Sequence, residues 1–231
     1  MRGERCISLL FVFGTLISCK GDQDASLDPL LDLIQGVEDS TFQHVLNNPD
    51  KFQYQIRYTQ VDRDKNNLPV LTSYEYNVDP NRYFYPASTV KMPVAFLALQ
   101  RINELHQENR SIDKYSRLAF GAAFPPQLPM VVDSSSPSGY PQVAHFVEQI
   151  FSVSDNEAYN RLYEFLGQDY INEQLKEKGI FKDSRIRTRV GISGFDTEAN
   201  KYTNPISILS DTEEELFSQD CLLYTSPSPR D

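Results

Sequence analysis

Tyr85-Pro86-Ala87-Ser88-Thr89-Val90-Lys91-Met92-Pro93-Val94-Ala95-Phe96-Leu97 is the stretch on which the reading of this chain turns. A rigid, proline-containing loop gives way at Ser88 to an apolar run that ends near Leu105. Such a run predicts a mostly buried helix, with Ser88 in its first turn. Free backbone N–H groups and the helix dipole favour negative charge there. Lys91 follows three residues later, so on a helix its side chain lies beside that of Ser88. A serine hydroxyl is a weak nucleophile until a neighbouring base takes its proton, and a lysine kept neutral by burial is such a base. The spacing alone does not establish that chemistry. Serine is also a favoured helix N-cap, and a second copy of the pattern, Ser111-Ile112-Asp113-Lys114, follows.

The 231 residues suit one ordinary domain or two small lobes. With 40% hydrophobic residues, 13 Tyr and 14 Phe, the chain has the material for a real core. A formal charge of -10 argues against a nucleic-acid partner, because phosphate binding needs a basic surface. The three histidines, His44, His106 and His145, are far apart, and no His/Cys/Asp/Glu spacing suggests a metal site. Neither a metal nor a cofactor is expected.

Each of the three cysteines has its own explanation. Cys6 lies in a secretory leader, residues 1–18, with Arg2 and Arg5 at its positive start and Ile7 to Ile17 as its apolar centre. That run is too short for a permanent membrane span. Leu16-Ile17-Ser18-Cys19 resembles a bacterial lipobox, which would make Cys19 the lipidated first mature residue. Multiple fatty chains would hold the protein at the cell envelope, facing the periplasm or the surface. Residues 19–25 read as a tether. Cys221 opens a string, Cys221 to Asp231, that looks like a translated sequencing adaptor, so the domain is taken as residues 26–220 and incomplete. No disulfide is then expected in the mature domain.

Apolar residues at helical spacing mark Ser26 to Leu46 as helix. Phe52, Tyr54, Ile56 and Tyr58, then Thr72, Tyr74, Tyr76 and Val78, alternate with other residues and predict an antiparallel hairpin around a charged turn, Asp62 to Asn67. After the Ser88 helix, Ala119 to Pro141 reads as a long loop and Ser111 as a cap or turn residue. Val143 to Ile150, Asn156 to Leu166 and Tyr170 to Leu175 read as helices, with Gly167 and Gly179 as stops. Pro205 to Phe217 reads as a further helix carrying a solvated acidic run, Asp211 to Glu215.

Ser154-Asp155-Asn156 falls at the junction of two of these helices, 66 residues after Ser88. It supplies a hydroxyl that can pass a proton to a leaving nitrogen and an amide that can hold a substrate amide. A helix N-cap would use the same residues. Taken together, Pro86-Ala87-Ser88-Thr89-Val90-Lys91 and Ser154-Asp155-Asn156-Glu157-Ala158-Tyr159-Asn160-Arg161-Leu162 resemble the penicillin-recognising serine enzymes, the family of class A β-lactamases and DD-peptidases. The resemblance runs over roughly Ser26 to Asp220. It implies an α/β (α+β) fold, a helical lobe plus an antiparallel sheet lacking its C-terminal strands. It implies hydrolysis of a β-lactam amide through an acyl-enzyme, in a monomer. Ser88 would be the acylated nucleophile, with its own N–H as half of the oxyanion hole. Lys91 would be the base or base partner and Ser154 the proton relay. Asn156 would bind substrate and help fix Lys91, and Asp155 would be structural.

Two departures stand out. The family's Lys-Thr-Gly is absent, which truncation would explain, and the chain as written is expected to have little activity. The family's deacylating Glu has no correctly spaced counterpart between Arg187 and Pro205, a region whose Thr203-Asn204-Pro205 resembles the end of the corresponding loop. Glu198 is the only Glu there, with Asn200 two residues on, and is the candidate deacylation base, the alternative being a solvent-exposed loop acid. Without a deacylating base the acyl-enzyme would persist or pass to an amine, as in a DD-peptidase or transpeptidase acting on cell-wall stem peptides. A non-catalytic binding or sensor module is the third alternative.

Overall fold

The structure, a computed structural model, describes residues 28–179, 184–191 and 198–224. The leader, the tether with Cys19, and the last seven residues of the adaptor-like string lie outside the described residues. The chain forms two compact units, residues 1–84 and 85–231.

In the first unit, the expected N-terminal helix is two helices, α1 (Pro29–Gln35) and α2 (Ser40–Leu46). Gly36 ends α1, and Asp39 starts a fresh helix by accepting the Phe42 N–H at 2.7 Å. Asp28 caps α1 in the same way through Leu30 and Leu31, with Pro29 in the first turn. A short α3 (Pro49–Phe52) absorbs the start of the expected first strand. The hairpin is present as β1 (Ile56–Arg63) and β2 (Pro69–Tyr76), paired antiparallel from Ile56↔Tyr76 to Arg63↔Pro69. Asp64 Oδ1 holds its turn by accepting the N–H groups of Asn66 and Leu68, both at 2.8 Å. Stacked Tyr58 and Tyr74 form a cross-strand pair on one face.

The second unit is built around α4 (Lys91–Glu108). Val94, Ala95, Leu97, Ala98, Ile102 and Leu105 are buried along it. They share one core with Val143, Phe146 and Ile150 of α5 (Val143–Val153) and with α6 (Asn156–Leu166) and α7 (Gln168–Glu177). Gly167, at φ +75°, ends α6 as expected. A three-stranded antiparallel sheet, in the order β3 (Arg117–Phe120), β4 (Ile206–Leu209) and β5 (Glu215–Gln219), closes the core.

That sheet corrects the expectation of helices alone after the hairpin. Ile206 and Ile208 are buried while Ser207 and Leu209 are not, a period of two rather than 3.6. The acidic run is a turn with Glu213 at φ +64°, closed by Ser210 N–H on the Glu214 carbonyl at 2.8 Å. Its charges are solvated, as expected, but on a hairpin. The expected loop beginning at Ala119 starts two residues later, because Leu118 and Phe120 are buried in β3. Of the string from Cys221 onward, Leu222 exchanges hydrogen bonds with Thr203, and the buried Tyr224 accepts the Gln168 N–H at 2.8 Å. Among the described residues no helix is long and apolar enough to cross a membrane.

Candidate active site

Ser88 sits in a single 3-10 turn, Ala87–Val90, that runs directly into α4. Thr89 folds the turn back by donating its N–H and its hydroxyl to the Pro86 carbonyl, at 3.1 and 2.6 Å. Ala87 takes φ +46°, a strained value for a residue with a Cβ, immediately before the serine. Ser88 is solvent-exposed, and among the described residues its hydroxyl makes no hydrogen bond.

Lys91 opens α4 and is only 2% exposed. Its Nζ donates to Asn156 Oδ1 at 2.6 Å, to Ser154 Oγ at 3.2 Å and to the Ser154 carbonyl oxygen. An ammonium has three protons, and these three acceptors use them all. Burial lowers the Lys91 pKa from the ordinary lysine value, and the Asp155 carboxylate pulls it partly back. The balance favours the neutral amine more than in an exposed lysine. Once neutral, the amine has a lone pair, and the contact with Ser154 Oγ can then carry a proton in the opposite sense.

The α5–α6 junction creates this arrangement. Ser154 ends α5 in the left-handed region, φ +55°, and presents both its carbonyl and its hydroxyl to Lys91. Asp155 caps α6, accepting the Ala158 N–H at 2.8 Å. Asn156 is the first residue of α6. Capping thus falls to Asp155, while Ser154 and Asn156 on either side of it bond Lys91. Lys91, Ser154, Asp155 and Asn156 are brought together as the sequence suggested, and Ser88 stands one turn before the lysine.

Asn160, one turn beyond Asn156, was not singled out for a role by sequence reasoning. It donates to the Val190 carbonyl at 2.9 Å and accepts the Val190 N–H at 2.8 Å. Tyr159 adds a bond to the Thr188 carbonyl at 3.1 Å. These bonds seat Gly191, φ +62°, so closely that a Cβ there would lie 2.4 Å from Asn156 Nδ2. The helical spacing of Asn156 and Asn160 was a visible signal for one face, while the close approach of Gly191 was not. Below them, buried Glu164 accepts from Arg189 Nε at 2.8 Å and Arg161 Nη1 at 3.2 Å, tying the same segment to α6.

Glu198 is elsewhere in character. Its side chain is 73% exposed and pairs with Lys201 at 2.6 Å, and it has no hydrogen bond to Lys91, Ser154 or Asn156. Thr203 and Asn204 are buried, with Asn204 donating to the Gly121 and Leu128 carbonyls at 2.6 and 3.1 Å, so the end of the segment is anchored.

A second grouping, Asp133, Ser135 and His145, has triad residues without triad proton logic. The Ser135 hydroxyl donates to Asp133 Oδ1 at 2.6 Å and accepts from Gln149 Nε2 at 2.9 Å. A hydroxyl has one proton, so His145 Nε2, 3.0 Å away, is the donor to Ser135 and not its base. Among the described residues no group of three His, Cys, Asp or Glu could hold a metal ion.

Residues 39–216 match the model of the family described as "Beta-lactamase enzyme family". No curated protein and no solved structure matches the chain.

Proposed function

We propose that this chain, which belongs to the β-lactamase enzyme family, forms an acyl-enzyme on Ser88 and hydrolyses the β-lactam amide. The observation that carries this reading is the buried Lys91 amine, lowered in pKa and held by Ser154 and Asn156 at 3.2 and 2.6 Å. Neutral Lys91 accepts the Ser88 proton as Oγ bonds to the carbonyl carbon. The Ser88 N–H, at the start of the turn that becomes α4, stabilises the developing oxyanion. The carbon–nitrogen bond then breaks, and the proton passes from Lys91 through Ser154 Oγ to the leaving nitrogen. Water completes the cycle by releasing the product acid from Ser88. Asn156 uses its remaining amide hydrogens to position the substrate, and Asp155 keeps the junction folded.

The DD-peptidase reading has a specific observation in its favour. Among the described residues Gly191, not an acid, lies against Asn156, while Glu198 is exposed and ion-paired with Lys201. An acyl-enzyme without a water-activating carboxylate survives until an amine arrives. Glu198 as deacylating base requires that ion pair to open. A fluorescent penicillin separates the readings. Labelling of Ser88 followed by repeated turnover of a chromogenic β-lactam supports the hydrolase. Stable labelling without turnover supports the peptidase or transpeptidase. Ligand binding that survives Ser88→Ala, with no labelling of the parent chain, supports the non-catalytic module. The 231 residues contain no Lys-Thr-Gly, so turnover by this chain alone is slight under this proposal. Its place is the bacterial cell envelope, through lipid on Cys19. Cys19→Ala moving the protein from membrane to soluble fractions tests that anchor.

A further inference from the structure

The far half of α4 carries a concavity that the acyl-transfer reading does not use. It has a volume of about 440 Å³, within the range of small-molecule sites. Leu99, Ile102, Asn103 and His106 line it from one face of α4, spaced three, one and three residues apart. Asp113, Lys114 and Tyr115 line it from the turn that follows. Along the helix axis it starts roughly 12 Å beyond Lys91 and reaches roughly 22 Å beyond it, at 1.5 Å per residue. It is therefore distinct from the Lys91–Ser154–Asn156 grouping.

The lining sorts by chemistry. Leu99 and Ile102 give an apolar floor, and the Tyr115 ring adds a flat apolar wall. His106 Nδ1 lies 2.7 Å from the Ile112 carbonyl, which can only accept, so Nδ1 carries a proton. In the neutral ring, Nε2 is then an acceptor. With the Asp113 carboxylate it favours a cation. Asp113 has only one oxygen engaged by its own turn, Oδ1 accepting the Tyr115 N–H at 2.7 Å. Lys114 and the Asn103 amide are donors that favour an anion. The Lys114 ammonium rests 5.1 Å from the Tyr115 ring centroid on an exposed side chain, and is free to swing to a ligand. One small pocket thus offers an apolar body site with both charge signs at its rim.

We propose that this pocket binds a small zwitterion with an apolar side chain, of the class of a free aromatic or branched α-amino acid. The ammonium of the ligand faces Asp113 and His106, its carboxylate faces Lys114 and Asn103, and its side chain lies on Leu99, Ile102 and Tyr115. An anion alone meets the Asp113 charge, and a cation alone meets Lys114, so each half-ligand forfeits one favourable pairing and keeps one repulsion.

Isothermal titration calorimetry of the full 231-residue chain with phenylalanine, phenylacetate and phenethylamine tests this assignment. Phenylalanine should saturate, and each of the other two should bind at least about tenfold more weakly. Asn103→Trp, at an exposed position on the rim, should fill the pocket and abolish binding, with circular dichroism reporting that the fold is kept. The double variant Asp113→Ala, Lys114→Ala, at two exposed positions, should weaken phenylalanine about tenfold and is the deciding variant if Asn103→Trp fails to fold. No saturation by phenylalanine, equal binding of all three probes, or phenylalanine binding unchanged in the folded variants would overturn it.

Discussion

The second unit contains the same four-residue spacing twice, in opposite surroundings. Ser88 and Lys91 sit where a 3-10 turn enters an 18-residue helix, and Lys91 is buried beneath three oxygen acceptors from the next helix junction. Ser111 and Lys114 sit in a turn, with the Ser111 N–H taken by Asn109 Oδ1 at 3.0 Å and Lys114 exposed beside Tyr115. Spacing places a serine near a lysine in both. Only the first pair has a buried amine with three oxygen acceptors around it, the surroundings that the proposed base requires. On the proposed reading, reactivity depends on the environment that α5 and α6 build around the motif.

The largest break in that comparison is at the two serines. Ser88→Ala should abolish penicillin labelling, seen by gel fluorescence and by mass spectrometry of the intact chain, while Ser111→Ala should leave it unchanged. Next are the two lysines. Lys91→Met should slow acylation by about a thousandfold or more, because it removes the proposed base and with it the proton that the Ser154 relay passes on. Lys114→Met should leave the acylation rate as it was.

A smaller effect concerns the frame. Gly191→Ala adds a Cβ at φ +62° and 2.4 Å from Asn156 Nδ2, so it should cost about 1–3 kcal/mol of stability in denaturant unfolding. It should also lower the acylation rate by displacing the amide that holds Lys91. Asn160→Ala, which removes both bonds to Val190, should cost a similar or smaller amount, about 1–2 kcal/mol. Smallest is Glu198→Gln. Its exposed pair with Lys201 adds little, so melting temperature and acylation should both stay within error. A fall in turnover with acylation intact would instead assign Glu198 to deacylation.

The two motifs were legible because each rests on residues close in sequence. Ser88 to Lys91 needs one turn, and Ser154 to Asn156 needs one helix junction. Their meeting 63 residues apart, Lys91 on Ser154, followed only from the family resemblance. The hairpin was legible because Tyr58 and Tyr74 sit in clean alternation, though its boundaries moved when Pro49 started α3. The inner sheet was missed for a physical reason. Its strands β3 and β4 are four residues each, and their partners lie far apart in sequence, 90 residues in Leu118↔Ile208. Four residues hold too little pattern to separate a period of two from 3.6, and the acidic turn after Leu209 resembled a helix surface. Gly191 was invisible because a close backbone approach depends on what Asn160 holds in place.

The most direct test of the central claim is the pH dependence of Ser88 acylation by a fluorescent penicillin, in the parent chain and in Lys91→Met. Burial disfavours the charged Lys91, so its proton is lost at lower pH than an ordinary lysine's. The acylation rate should climb as pH rises and level off below the ordinary lysine range, and Lys91→Met should be slow with that climb gone. A Lys91→Met chain that acylates at the parent rate with the same pH profile would contradict the assignment of Lys91 as the base.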